Sequence, residues 1–259
     1  MGRRFQMTRK RIFCKLAVLC ILLLLSGCQK KENVSDCQME IPKENEVTSV
    51  EIDDTLDSFF VDTKGKLGTL LVTVKKDVEN SQQGYDFLLH FTVWDPKHMD
   101  VPLQTMEANS SVFRWSDVRD ADFDGYQDFG YMYAMGNQPQ YWHFWIWDED
   151  KGQFREEAEF DQISCPEFCE ETKTIHGWAR SSAMGSGEVT IHQWVDGKLV
   201  CMRRISIDWD SQNECFTLIV VDQIDHKLVE VYRNTFPSDS TEHLDVSMKW
   251  QDLEYHGEI

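Results

Sequence analysis

The chain has 259 residues, with 26 Lys+Arg against 45 Asp+Glu and a formal net charge of -19. The basic residues Arg3, Arg4, Arg9, Lys10, Arg11 and Lys15 all precede residue 28, so the rest of the chain is more acidic still. A surface of that sign repels phosphate backbones and no basic patch offsets it, which excludes general nucleic-acid binding. Aromatic residues at 12% supply enough apolar mass for a core and exclude a disordered polar chain.

The amino end has three zones: a basic Met1–Lys15, an apolar Leu16–Leu25, and a small-residue exit, Leu25-Ser26-Gly27-Cys28. At a rise of ~1.5 Å per residue the apolar run spans only ~15–20 Å, short of a ~30 Å bilayer core. The pattern is that of an export signal rather than a membrane helix. Leu25-Ser26-Gly27-Cys28 resembles the lipobox of bacterial lipoproteins. The resemblance implies cleavage before Cys28 and a lipidated Cys28 thiol, with two or more acyl chains anchoring the protein to the extracytoplasmic side of a bacterial membrane. Three regions are expected: a signal peptide over 1–27, a flexible charged tether over 28–50, and a folded domain over 51–259.

Cys37, Cys165, Cys169, Cys201 and Cys215 lie beyond the lipobox, and an odd number of thiols cannot all pair within one chain. In an exported protein Cys165-Pro166-Glu167-Phe168-Cys169 is a candidate loop staple. Cys201 and Cys215 are hairpin neighbours. A turn centred on Asp210–Gln212 would set Cys215 opposite Ser206, about 16 Å from Cys201 and beyond disulfide reach.

From residue 51 onward, period-two patterns dominate. Phe87, Leu89, Phe91 and Val93 share one face of a strand; Val189, Ile191 and Val195 share another. Leu199, Cys201, Ile205, Ile207 and Trp209 line a third, interrupted by Arg203. Tyr141–Trp147 and Cys215–Val221 are continuous aromatic or β-branched runs suited to buried strands. Turn signals separate these runs at Thr63–Gly65, Asp95–Lys97, Asp148–Gly152, Asp196-Gly197 and Asp222–Lys227. Asp196-Gly197 predicts a two-residue hairpin turn with positive φ, pairing Trp194 with Leu199 and His192 with Cys201. Trp94-Asp95, Trp147-Asp148 and Trp194-Val195-Asp196-Gly197 each close a strand with Trp and open a turn with Asp, at the spacing of small antiparallel sheets. These features predict one all-β domain, an antiparallel meander or set of blade-like sheets, propeller-like or a twisted sandwich.

One segment carries recognisable chemistry. Asp120-Ala121-Asp122-Phe123-Asp124-Gly125-Tyr126-Gln127-Asp128 has the spacing D-x-D-x-D-G-x-x-D. Carboxylates at the first, third and fifth positions converge when the chain turns sharply, and Gly125 permits the turn. Asp120, Asp122, Asp124, the Tyr126 carbonyl and Asp128 then form an all-oxygen, highly negative set suited to Ca²⁺. Tyr131 stands where an EF-hand has its closing Glu, and no helical pattern flanks the loop, so it is not an EF-hand.

Followed by Phe129-Gly130-Tyr131, this loop resembles the calcium loop of FG-GAP/VCBS-type β repeats. With Tyr141–Trp147 and Trp194–Leu199 it is also similar to a bacterial family of exported β proteins related to periplasmic lysozyme inhibitors. The resemblance implies a calcium-holding binding module rather than an enzyme, acting on a cationic peptidoglycan hydrolase as inhibitor or immunity protein, with Ser181–Gly187 as a candidate inhibitory loop. The FG-GAP/VCBS likeness implies an alternative, a surface adhesin recognising a glycan or solute, and an exported hydrolase is a further alternative. A true repeat array would carry the acidic loop more than once, whereas here it occurs once.

The remaining polar residues form no local catalytic set. The eight histidines include no pair at metal-ligand spacing. Ala183-Met184-Gly185-Ser186-Gly187 lacks the G-x-S-x-G elbow and reads as a mobile loop between strands. Alternate members of Trp142, Trp145 and Trp147 must point inward, so this run is read as core before it is read as a sugar-stacking surface.

Overall fold

The computed structural model describes residues 55–112, 115–136 and 139–257. The expected signal peptide, Cys28 and the tether lie outside the described residues. Among the described residues fourteen strands form three antiparallel sheets. The first contains β1 (Thr55–Asp62), β2 (Thr69–Asp77), β3 (Phe87–Trp94) and β4 (Gln104–Ser110). The second contains β5 (Ser116–Arg119), β6 (Asp128–Met135), β7 (Gln140–Asp148) and β8 (Gln153–Glu156). A 3₁₀ turn (Ala158–Gln162) leads to the third: β9 (Glu167–Cys169), β10 (Thr174–Arg180), β11 (Gly187–Val195), β12 (Lys198–Asp210), β13 (Cys215–Ile224) and β14 (Lys227–Pro237). In every sheet each strand pairs with its neighbours in sequence, so the domain is all-β and built of successive meanders. One helix, α1 (Glu242–Trp250), follows the last strand.

The three Trp-Asp junctions occupy equivalent places. Trp94, Trp147 and Trp194 sit at or near the ends of β3, β7 and β11, the third strand of each sheet. Each indole N–H is anchored, to Thr73 Oγ1 at 3.0 Å, Glu149 Oε2 at 2.9 Å and the Ala121 carbonyl at 3.0 Å respectively. The weak internal repeat in the sequence is therefore a repeat of sheet position.

Packing explains the two kinds of strand pattern. β3 alternates strictly, with Phe87, Leu89, Phe91 and Val93 buried. These residues join Val61, Leu70, Val72 and Val74 against Phe129, Tyr131, Trp145, Trp147 and Phe154 of the second sheet. The opposite face of β7 presents Phe144 and Ile146 to a second core shared with Ile175 and Leu199 of the third sheet and with Phe160 and Ile163. The second sheet is thus covered on both faces, which is why Tyr141–Trp147 reads as a continuous apolar run. Phe144 lies so close over β6 that a Cβ added at Gly130 would come within 2.6 Å of its ring, a space only glycine leaves open. A third core joins Ile205, Leu218, Val220 and Phe236 to Trp250 of α1.

Several expectations hold and others need correction. Asp196 and Gly197 both take positive φ, 50° and 74°, and the hairpin pairs Trp194 with Leu199 and His192 with Cys201. The shared face of Val189, Ile191 and Val195 is broken, because a bulge between Ile191 and His192 buries both residues while Val195 is exposed. Cys215 pairs with Asp210 rather than lying opposite Ser206, since the hairpin turn starts later than expected. The separation from Cys201 is larger for that reason, and no disulfide joins them. The Cys165–Cys169 staple is not formed either. Cys165 is a thiol whose backbone N–H is held by the Gln140 carbonyl at 2.8 Å, while Cys169 is held in register with Thr174.

Arg203, which appeared to interrupt an apolar face, is instead buried at 1% exposure. It makes a two-pronged ion pair with Asp222, from Nε to Oδ1 at 2.5 Å and Nη2 to Oδ2 at 2.7 Å. Its Nη1 donates to the Trp250 and Asp252 carbonyls at 2.9 and 2.8 Å, and the guanidinium lies over the Trp250 ring. The Trp250 carbonyl is one of the last in α1, where intrahelical donors run out, and Asp252 lies just beyond the helix.

Candidate metal centre

The acidic loop connects β5 to β6 and lies where all three sheets meet. Ala121 and Phe123 pack into the core between the second and third sheets, and Tyr126 packs against the core between the first and second. Gln127 exchanges two hydrogen bonds with Asp62 at the end of β1: its Oε1 accepts the Asp62 N–H at 2.8 Å, and its own N–H donates to the Asp62 carbonyl at 3.2 Å. Trp194 of β11 donates to the Ala121 carbonyl.

Two left-handed residues shape the turn, Phe123 at φ 63° and Gly125 at φ 100°. The first is uncommon for a side chain of that size. It is held by Phe168, whose ring centroid lies 6.5 Å away, and by Lys173, whose ammonium sits 5.0 Å over the ring. Backbone N–H groups then brace the carboxylates: Gly125 donates to Asp120 Oδ2 at 2.8 Å, Tyr126 to Asp124 Oδ1 at 2.8 Å, and Asp124 to Asp122 Oδ1 at 3.3 Å.

The loop brings Asp120, Asp122 and Asp124 together, each offering a carboxylate oxygen within 4.8 Å of the others. Asp128 stands apart from that group. Its Oδ1 accepts the Trp147 N–H at 2.8 Å and its Oδ2 accepts the Ala121 N–H at 2.6 Å, so its visible role is to tie the start of the loop to β7. Burial, followed by repulsion from Asp124 and Asp120, pushes the Asp122 carboxyl up to about 7. Burial outweighs the Trp147 and Ala121 hydrogen bonds at Asp128 and, with repulsion from Asp122 and Asp124, pushes it up to about 8.

These residues fit a hard divalent cation. Asp120 Oδ1 is enclosed and has no hydrogen-bond partner among the described residues. An enclosed carboxylate oxygen without a donor is costly unless a cation satisfies it. A bound divalent ion would remove both that deficit and the mutual repulsion of three convergent carboxylates.

The other residues singled out by sequence are placed as follows. Trp145 and Trp147 are buried at 2% and 3% exposure and belong to the core, while Trp142 is half-buried. Ser181–Gly187 joins β10 to β11 and is extensively bonded rather than loose. Ser182 Oγ accepts the Ser186 N–H at 3.1 Å, and Arg180 donates to the Ser182 and Ala183 carbonyls at 2.8 and 3.0 Å. Ser186 Oγ accepts the Trp209 N–H at 3.0 Å, leaving Met184 exposed at the tip.

No family model matches the chain, and no curated protein matches it. Among solved structures it is similar to one titled "Structure of a Xanthomonas Type IV Secretion System related protein", with 10% identity and a TM-score of 0.45 over 72% of this chain and 98% of that one. A likeness of that size carries no argument about function.

Proposed function

We propose that this chain is a lipid-anchored, extracytoplasmic binding module whose Asp120–Asp128 loop holds one Ca²⁺, and that it restrains a cationic peptidoglycan hydrolase as an inhibitor or immunity protein. The observation that carries the calcium reading is the enclosed, unpartnered Asp120 Oδ1 beside Asp122 and Asp124. Asp120, Asp122 and Asp124 supply ligands, and the Tyr126 carbonyl adds to the expected oxygen set. Asp128 holds the start of the loop on β7 rather than joining the ligands, and the ion cross-braces a loop already tied to β1, β7 and β11. The role of the ion is structural: it neutralises charge and fixes the backbone. EDTA should lower the melting temperature of the full chain, and Asp124→Ala should abolish that sensitivity. Identical melting curves with and without Ca²⁺ would remove the calcium reading.

The partner reading rests on charge and on the lipoprotein and inhibitor resemblances. A strongly acidic module favours encounter with a basic enzyme. Ser181–Gly187 offers a preorganised protrusion, and a bonded loop loses little entropy on docking. Capture of a lysozyme-type hydrolase by the anchored protein, lost in Met184→Asp with an unchanged melting temperature, is the expected result. An unchanged hydrolase rate at saturating module would count against it.

A second reading, glycan recognition, is supported by a cleft of about 420 Å³. Trp115, half-exposed, and Trp142 provide aromatic faces beside Asp117, Arg119, Gln140 and Glu167, the planar polar groups that suit sugar hydroxyls. A glycan array separates the two readings.

A further inference from the structure

A different cluster lies at the margin of the first core. His143 stands on β7 two residues before Trp145, and Glu156 on β8 is the register partner of Trp145. Asp161 comes from the 3₁₀ turn that follows β8. His143, Glu156 and Asp161 each offer one ligand atom, and these atoms lie within 4.8 Å of one another.

The imidazole is oriented from outside this group. Its Nε2 lies 3.3 Å from the Asn109 carbonyl of β4, an acceptor that favours the tautomer with the proton on Nε2. Tyr133 of β6 stacks on the ring at 4.2 Å between centroids, and its hydroxyl donates to the Asp161 carbonyl at 2.9 Å. Nδ1 is thereby directed at Asp161 Oδ1, 2.8 Å away, a contact that either a proton or a metal ion can fill. Glu156, an exposed carboxylate in the same cluster, makes no ion pair among the described residues. One imidazole, with its far nitrogen bonded to a backbone carbonyl, facing two carboxylates is the donor arrangement that takes a first-row divalent metal.

We propose that His143, Glu156 and Asp161 form a metal site for a first-row transition dication of the Zn²⁺ type, separate from the calcium loop. The nitrogen ligand sets its selectivity: Ca²⁺ takes six to eight oxygens, whereas imidazole with carboxylates suits Zn²⁺ and its neighbours. The site links β7, β8 and the 3₁₀ turn, with Asn109 and Tyr133 fixing the ligands from β4 and β6. It does not depend on the partner or calcium readings.

Co²⁺ serves as the spectroscopic probe, titrated into the full chain after EDTA treatment and displaced with Zn²⁺. Wild type and Asp124→Ala should each develop the same visible cobalt absorption at one equivalent, and Zn²⁺ should erase it. His143→Gln and Glu156→Gln should weaken binding by about tenfold or more. Because Glu156 is exposed, its variant keeps the fold and the test remains decisive if His143→Gln does not. Absence of a visible band in wild type, a band lost only in Asp124→Ala, or wild-type affinity in Glu156→Gln would each overturn the proposal.

Discussion

Asp128 is 1% exposed, and its two oxygens receive the N–H groups of Ala121 and Trp147. Each N–H orphaned in a buried setting costs about 1–3 kcal/mol. Asp128→Ala orphans both, whereas Asp128→Asn keeps one acceptor and sets a donor against a donor at the other. Urea unfolding in excess Ca²⁺ should therefore rank wild type above Asp128→Asn and Asp128→Ala lowest. His192 makes a different demand. It is 6% exposed, its Nδ1 has no partner among the described residues, and burial outweighs the Ile175 backbone bond to lower its pKa to about 4. An imidazole with a depressed folded-state pKa binds fewer protons folded than unfolded between that value and about 6.5. Its contribution to stability is complete above that window and is lost as pH falls through it, by up to about 3 kcal/mol. His192→Gln should flatten the fall in stability between pH 6.5 and 4 relative to wild type; parallel profiles would refute the assignment. At this scale the sequence displayed the acidic spacing, because metal-type loops are local in the chain. It did not display the separate placement of Asp128 or the burial of His192, which arise from β7 and from a bulge in β12 opposite Ile191 and His192.

Arg203 belongs to the scale of elements, since it joins β12, β13 and the end of α1. Removing one partner of a buried pair strands the other charge and costs about 3–5 kcal/mol. Arg203→Met should lower stability by that order, and adding Asp222→Leu should recover much of the loss, as chemical denaturation of the single and double variants would show. No recovery would mean that the carbonyl bonds to Trp250 and Asp252, rather than Asp222, dominate. β3 was legible from its strict alternation and the β11–β12 hairpin from Asp196-Gly197, whereas β1, β2 and β4 were not singled out although Val61, Leu70, Val72, Val74 and Ala108 face the core. α1 was not anticipated, although His243, Ser247 and Trp250 are its buried residues at helical spacing. Nine residues after a long run of strands give a weak period, and the decisive partner, Arg203, lies far back in the chain.

At the scale of the whole molecule, net charge sets how partners are met. With -19 charges on the chain, association with a basic hydrolase should slow steeply as salt rises, because long-range attraction is screened within ~8–10 Å near physiological ionic strength. Stopped-flow association rates at two salt concentrations check this; a flat dependence would remove the electrostatic part of the proposal. The all-β class and the meander order were readable from turn spacing. The stacking of three sheets was not, because period-two patterns show that a face is buried without showing what covers it.

The middle sheet lends one surface to each of its neighbours, and the acidic loop is bolted to all three. Peeling an outer sheet from the middle one would open a shared core and break the bonds of the loop. Heat should therefore melt the layers in concert, and an ion seated at their junction would set the temperature at which the entire stack gives way.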